Sequence, residues 1–175
     1  MKVVGSISGL NRFFSTHPLT CDAQLAAWGR FLSWQIRSRL QHEVIVPWVG
    51  GQRLAVRRGM TGATGNIYTG LHEFADMMLP LHLLREGDLF FDIGANIGSY
   101  TVLASGVCGA TTWAFEPDPD TAVFLKRNLD VNHLTDRVKV HELALGDNDG
   151  TVSFTRGRDT VNRVAAKGGG CPAPC

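Results

Sequence analysis

An excess of charge of either sign is what this sequence most lacks: 17 Lys and Arg stand against 16 Asp and Glu, a formal +1 over 175 residues. A chain that grips a phosphate backbone or an anionic bilayer by charge usually carries a clustered basic surplus, and the basic residues here are scattered. No nucleic-acid partner and no membrane partner are therefore expected. Long apolar runs are missing as well, and the opening Met-Lys-Val-Val-Gly-Ser-Ile-Ser-Gly-Leu is too polar after its first residues for a signal peptide. The expectation is a cytoplasmic protein. Cysteine is scarce: Cys21, Cys108, Cys171 and Cys175 are too few and too unevenly placed for a disulfide framework. The terminal Cys171-Pro-Ala-Pro-Cys175 has no second Cys or His pair at ligand spacing, so no metal site is expected, and Cys108 reads as core.

What is present suits one globular domain with a sizeable core, at 44% hydrophobic and 19% charged residues. Residues 1–19 show no clear period and read as an irregular lead-in. From Asp22 to about Gln41, Leu25, Trp28, Phe31, Leu32, Trp34, Ile36 and Leu40 recur mostly at three and four, an amphipathic helix capped by Thr20 or Asp22 and packed on the hairpin next in the chain. In that hairpin, residues 43–49 and 52–58 flank Gly50-Gly51, a pair suited to a tight two-residue turn. The glycines at 59, 62, 65 and 70 lack the Gly-Lys-Ser/Thr ending of a phosphate-cradling loop, so residues 59–70 read as a lid or connection. Residues 71–84 read as a helix that Pro80 kinks or splits, with Gly87 as its C-terminal cap. Near it stand Tyr68 and Glu73; the latter serves either the helix dipole or a ligand.

Residues 88–98, Asp-Leu-Phe-Phe-Asp-Ile-Gly-Ala-Asn-Ile-Gly, carry the strongest signal. The short apolar run predicts a strand buried on both faces of a parallel sheet, and Asp92 sits at its carboxyl end, where open α/β sheets bind ligands. Gly94 suits a tight turn, and Gly98 suits a helix packed closely on the strand. A helix over 99–107, a strand over 111–115 ending in Glu116-Pro117, a helix capped by Asp118 or Asp120 and running to about Val131, and a strand over 138–143 complete a βαβαβ order. Asp147-Asn148-Asp149-Gly150 predicts a turn before an exposed strand over 151–155, and residues 156–175 read as a disordered tail.

The glycine spacing separates two nucleotide cofactors. A dinucleotide fingerprint counted from Gly94 would need glycines where Asn96 and Ser99 stand, which disfavours an NAD-dependent oxidoreductase. Glu116, 24 residues after Asp92, lies where such folds grip both ribose hydroxyls.

Together, Phe-Asp-Ile-Gly-Ala-Asn-Ile-Gly-Ser-Tyr-Thr, Ala-Phe-Glu-Pro-Asp-Pro, Leu-Lys-Arg-Asn-Leu-Asp-Val-Asn and the upstream Gly-Asn-Ile-Tyr-Thr-Gly-Leu-His-Glu-Phe resemble the FkbM-type S-adenosylmethionine-dependent methyltransferases, over about residues 24–155. The resemblance implies an α/β fold with a Rossmann-like class I methyltransferase core. In residues it implies Asp92, Gly94, Ala95, Asn96 and Gly98 at the methionine end of the cofactor and Glu116 at its ribose. Pro117 and Glu142, Leu143 and Ala144 would lie beside the adenine, with Tyr68 and Glu73 closing over the top. It also implies methyl transfer to an oxygen of a sugar or other small metabolite or glycan. No residue is assigned as catalytic; His72, His133 and His141 are visible bases without a motif.

Only 77 residues follow Gly98, and the family's later acidic segment is absent. The parallel sheet is expected to be incomplete, with the 89–93 strand at an open edge through which the chain could self-associate. The organisation expected is 1–87 as N-terminal helix, β-hairpin and lid, 88–155 as a partial cofactor-binding core, and 156–175 as tail. Two functions are compatible with it: an active methyltransferase, or a truncated remnant that binds the cofactor weakly without catalysis.

Overall fold

The computed structural model describes residues 6–147, 150–154 and 171–174. Its centre is a parallel three-stranded sheet, β3 (Leu89–Ile93), β4 (Thr111–Phe115) and β5 (Val138–His141), in the order β3-β4-β5. Leu89 pairs with Thr111 and Ile93 with Phe115, while Thr112 pairs with Val138 and Phe115 with His141. The crossovers are α5 (Ser99–Val102, whose last turn widens over Leu103–Val107) and α6 (Pro119–Val131). In that widened turn the Cys108 N–H reaches back to the Leu103 carbonyl at 3.1 Å. This is the βαβαβ half of a doubly wound α/β fold, as the alternation of apolar runs and helical periods requires.

Before the sheet come α1 (Ile7–Thr16), α2 (Gln24–Leu40), the antiparallel hairpin β1 (Val44–Pro47) and β2 (Arg53–Val56), then α3 (Thr61–Thr69) and α4 (Phe74–Leu83). Gly50 and Gly51 take φ of 63° and 80° in a tight turn closed by the Gln52 N–H on the Val49 carbonyl at 3.1 Å, but the strands end at Pro47 and restart at Arg53, so the connection is longer than the expected two residues. The hairpin is docked by helix side chains. Asn128 and Asn132, one turn apart on α6, address alternate residues of β2. Asn128 Oδ1 accepts the Ala55 N–H at 2.7 Å, and Asn132 Oδ1 accepts the Arg53 N–H at 2.7 Å while its Nδ2 donates to the Arg53 carbonyl at 2.7 Å. The two amides satisfy the outer edge of β2 as a third strand would.

Several expectations are corrected. The lead-in contains α1, capped by Ser6, whose Oγ accepts the Gly9 N–H at 3.1 Å; its buried stripe is only Leu10 and Phe14, too short to register as a period. Neither Thr20 nor Asp22 caps α2: the helix starts at Gln24 without a side-chain cap, and the Thr20 hydroxyl donates to the Phe14 carbonyl at 2.8 Å. The face of α2 that packs is built on Ala27, Trp34 and Ser38, while Leu25, Leu32, Ile36 and Leu40 are exposed. Small residues let the helix lie close to its neighbours, and a count of large apolar residues cannot see that.

The glycine-rich 59–70 stretch is largely helical, not a loop. Ala63 and Ile67 bury one face of α3, and a methyl group on Gly65 would lie 2.4 Å from Cγ of His72, so the glycine is there for close approach. Helix α4 starts at Phe74 and runs through Pro80 unbroken to Leu83, leaving Leu71 outside it; its C-cap is Leu84, and Gly87 turns the chain into β3 instead. Proline removes one backbone hydrogen bond there, and Pro80 is itself buried. Strand β3 is covered on one face only: Asp92 is buried, whereas Leu89, Phe91 and Ile93 are 48–66% exposed. Gly98 packs against helix α6 rather than the strand, an added Cβ falling 2.4 Å from Leu125 Cδ1. Cys108, expected in the core, is partly buried, its thiol 3.7 Å from the Pro80 carbonyl.

Residues 171–174, expected within a disordered tail, form β7 (Cys171–Pro174), antiparallel to β6 (Thr151–Phe154). Prolines lack an N–H but suit an edge strand. The rest of that tail, and Asn148 and Asp149 of the expected turn, lie outside the described residues. Among the described residues no helix is long and apolar enough to cross a membrane.

Candidate functional site

Strands β3 and β4 end side by side, and the chain leaving β3 folds back across the end of β4. The N–H groups of Gly94 and Ala95 both donate to the Phe115 carbonyl, at 2.9 and 3.0 Å. One residue further, the Asn96 N–H donates to Glu116 Oε2 at 2.8 Å, and Glu116 Oε1 accepts the Asp118 N–H at 2.9 Å. Asn96 adopts φ of 51°, and its side-chain oxygen accepts the Ile97 N–H at 2.7 Å. Gly94 has nothing within 4 Å of where a Cβ would stand, so the loop faces open space on that side.

Asp92 is buried beneath this loop. Its Oδ2 accepts the Thr101 hydroxyl, which ties the strand end to the first turn of α5. Burial raises the pKa of the Asp92 carboxyl, against the pull of the hydrogen bonds from Thr101. Glu116 is pushed up in the same direction, chiefly by burial and further by Asp118 and Asp92, against the two backbone N–H groups it accepts. Among the described residues neither carboxylate belongs to an ion pair.

The loop spends its own donors. From Gly94 to Gly98 each N–H has an acceptor inside the chain, so they do not form the bare backbone cradle that two glycines suggest. Further along, at the start of α5, Ser99 and Tyr100 have no acceptor for their N–H groups among the described residues. Those are the backbone donors left for an anion.

The remaining expected residues divide. Glu73 sits at the start of α4 and its Oε2 accepts the Tyr100 hydroxyl at 2.9 Å, which brings it to α5 directly beyond the loop. Burial and then that carboxylate raise the Tyr100 pKa. Ala95 and Pro117 are buried at the loop and the strand end. Tyr68 faces elsewhere: its ring packs edge-on against Phe14 and Phe31, and its hydroxyl accepts Gln35 Nε2 at 3.4 Å. Glu142 turns outward to pair with Lys126 on α6, while Leu143 and Ala144 follow β5 half-buried. The histidines do not converge. His72 packs beside Gly65, its pKa lowered by burial and its ring edge-on to Phe13, His133 lies in the turn after α6, and His141 stacks on Phe115 at 4.9 Å.

One contributor was missed. Asn66 on α3 donates from Nδ2 to Ser99 Oγ at 3.1 Å, and its Oδ1 accepts the His72 N–H at 2.8 Å, so it joins α3, the approach to α4 and the start of α5. Its place in the Gly-Asn-Ile-Tyr stretch was the available signal, masked by reading that stretch as a loop.

No protein-family model and no curated protein sequence matches the chain, so the FkbM-type resemblance rests on its motif residues. Solved structures do match. The C-terminal domain of precorrin-6Y C5,15-methyltransferase from Rhodobacter capsulatus is 26% identical over 40% of this chain and 39% of its own, with a TM-score of 0.37. An RNA methyltransferase from Salinibacter ruber, in complex with S-adenosyl-L-homocysteine, is 28% identical over 43% and 50%, with a TM-score of 0.39. The tRNA m1G37 methyltransferase of M. jannaschii is 15% identical over 69% and 41%, with a TM-score of 0.40. The chain thus spans half or less of the length of each of these three.

Proposed function

We propose that this chain binds S-adenosylmethionine at the carboxyl ends of β3, β4 and β5 and serves methyl transfer. The observation that carries the reading is the pair Asp92 and Glu116, two buried carboxylates at adjoining strand ends with no ion-pair partner among the described residues. Burial favours the neutral form of both carboxyls, and a cationic ligand beside them would favour the charged form instead. Adenosylmethionine brings an ammonium and a sulfonium, whereas a dinucleotide needs glycines for its pyrophosphate where Asn96 and Ser99 stand.

The residues fit the cofactor in outline. Asp92 faces the ammonium electrostatically, the Ser99 and Tyr100 N–H groups suit its carboxylate, and Glu116 suits the ribose hydroxyls through the lone pairs its two N–H donors leave free. In this reading Pro117 and the 142–144 segment would lie beside the adenine, and Glu73 with Tyr100 would lie toward the methionine. When bound, the cofactor supplies a methyl group on sulfur for in-line displacement. The protein's own part is alignment and exclusion of water, and a base is needed only for an acceptor that must lose a proton.

For the acceptor, the resemblance supports an oxygen of a sugar or other small metabolite. Because similar structures bear names that include RNA, tRNA and precorrin methyltransferases, the acceptors offered in a test should include tRNA as well as sugar hydroxyls. The exposed face and open edge of β3 favour one second reading, cofactor binding without turnover. Calorimetric titration with S-adenosylhomocysteine tests the first reading, and absence of binding would sink it. Binding accompanied by no methyl transfer to any acceptor offered would leave the second.

A further inference from the structure

Helix α2 has two apolar faces. One, built on Ala27, Trp34 and Ser38 with Phe31 beside it, packs on the protein. Opposite it, Leu25, Leu32, Ile36 and Leu40 are 89%, 56%, 61% and 80% exposed. At 3.6 residues per turn these four and Gly29 fall on one stripe running the length of the helix. Isolated exposed leucines are ordinary; an aligned row of four on one helix is an interaction surface.

The flanks of the stripe carry charge of one sign. Within Gln24–Leu40 there are three arginines, Arg30, Arg37 and Arg39, and no Asp or Glu. Arg30 and Arg37, two turns apart, line one flank beside a cavity of about 520 Å³. Ser33 stands between them, and Trp34, Val44, Val46 and Ile67 form apolar wall. Both guanidiniums are held by backbone carbonyls: Arg30 Nε donates to Tyr68 O at 2.8 Å and Arg37 Nη2 to Ile45 O at 3.2 Å. Neither is in an ion pair among the described residues, and each makes one hydrogen bond there, which leaves N–H groups for an anion. Arg39 lies on the other flank, bonded to Gln35 Oε1 at 2.8 Å.

We propose that α2 docks on an anionic phospholipid surface. Leu25, Leu32, Ile36 and Leu40 enter the boundary between headgroups and acyl chains, and Arg30 and Arg37 take a lipid phosphate at the mouth of the cavity. The arrangement is that of a helix lying in the interface plane, apolar on one side and cationic at its margins. Charge complementarity selects this occupant. A second copy docked stripe to stripe would set arginine rows against one another with no acidic residue on the helix to answer them. The net charge of +1 concealed the surface, because the acidic residues that balance these arginines lie outside α2.

The test is cosedimentation of the full chain with vesicles of phosphatidylcholine alone and of phosphatidylcholine with about one third phosphatidylglycerol. Binding is expected only to the anionic vesicles, and the double variant Leu32→Ser/Ile36→Ser should weaken it about tenfold or more with the circular dichroism spectrum unchanged. Arg37→Gln, which leaves the Arg30 contact with α3 in place, should lower the preference for phosphatidylglycerol. Millimolar inorganic phosphate should not displace the protein. Failure to bind either vesicle overturns the proposal, as does equal binding by wild type and the Leu32→Ser/Ile36→Ser variant. A wild-type dimer in light scattering that this variant makes monomeric assigns the stripe to a second copy. Displacement by free phosphate assigns the arginines to a soluble anion, and either result also overturns the proposal. None of these readouts depends on methyl transfer.

Discussion

Glu116 Oε2 accepts the backbone N–H of Asn96 at 2.8 Å, so the carboxylate at the end of β4 holds the turn that leaves β3. With its other oxygen on the Asp118 N–H, Glu116 organises two loops at once. Glu116→Ala should cost about 1 to 3 kcal/mol of stability, read from the urea midpoint, because it leaves two backbone donors without their acceptor. It should also weaken S-adenosylhomocysteine binding by calorimetry about tenfold or more. Unchanged affinity would overturn the ribose assignment.

Acid dependence should run against the usual pattern. Burial raises the folded-state pKa of Asp92 and Glu116 above their unfolded values, so between the two the native state holds more protons than the unfolded chain. Stability contributed by these groups is therefore fully present below the unfolded pKa and is lost as pH rises through the folded pKa. A cationic ligand reverses the deficit, so S-adenosylmethionine should raise Tm more near about pH 7 than near about pH 5. Asp92→Asn should make the ligand-free chain more stable near neutrality and abolish the ligand's effect. A ligand shift in Tm that is larger at the acid end would contradict this account.

Gly98→Ala places a methyl group 2.4 Å from Leu125 Cδ1 on a residue with φ of 87°. The expected cost is about 1 to 3 kcal/mol by chemical denaturation. Adding Leu125→Ala removes the clash but not the backbone strain, so the double variant should show partial coupling in a mutant cycle. Strict additivity would mean that α5 does not press on α6 through Gly98.

Asn128→Ala should destabilise the fold by about 2 to 4 kcal/mol, since a buried side chain bonded to Ala55 N, Ala55 O and Ile97 O links the hairpin, α6 and the glycine loop. Asn132→Ala, nearer solvent, should cost less. Equal losses would indicate that the Ile97 bond contributes nothing.

The bare side of the parallel sheet carries Leu89, Phe91 and Ile93, with Phe91 stacked on Phe115 at 6.2 Å and tilted against Trp113 at 5.6 Å. Parallel sheets are normally covered on both faces, and β3 is a sheet edge among the described residues. Static light scattering should show concentration-dependent association that Phe91→Lys reduces. If association persists unchanged in Phe91→Lys, this face is not its source.

Local chemistry made the βαβαβ order, the hairpin at Gly50-Gly51, the loop at Gly94–Gly98 and the carboxylates Asp92 and Glu116 legible in the sequence. Each is announced by residues adjacent in the chain: an apolar run, a turn-forming pair, an acidic residue at a strand end. Tertiary packing decided the rest. It turned the glycine-rich 59–70 stretch mostly into helix because Ala63 and Ile67 found a core to bury in. It set Tyr68 among Phe14 and Phe31 while drawing Asn66 to Ser99, since one turn of α3 faces each way. The same rule separates the two faces of α2: periodicity shows that a helix is apolar, but only the positions of its neighbours determine which apolar face is buried and which is left for a partner.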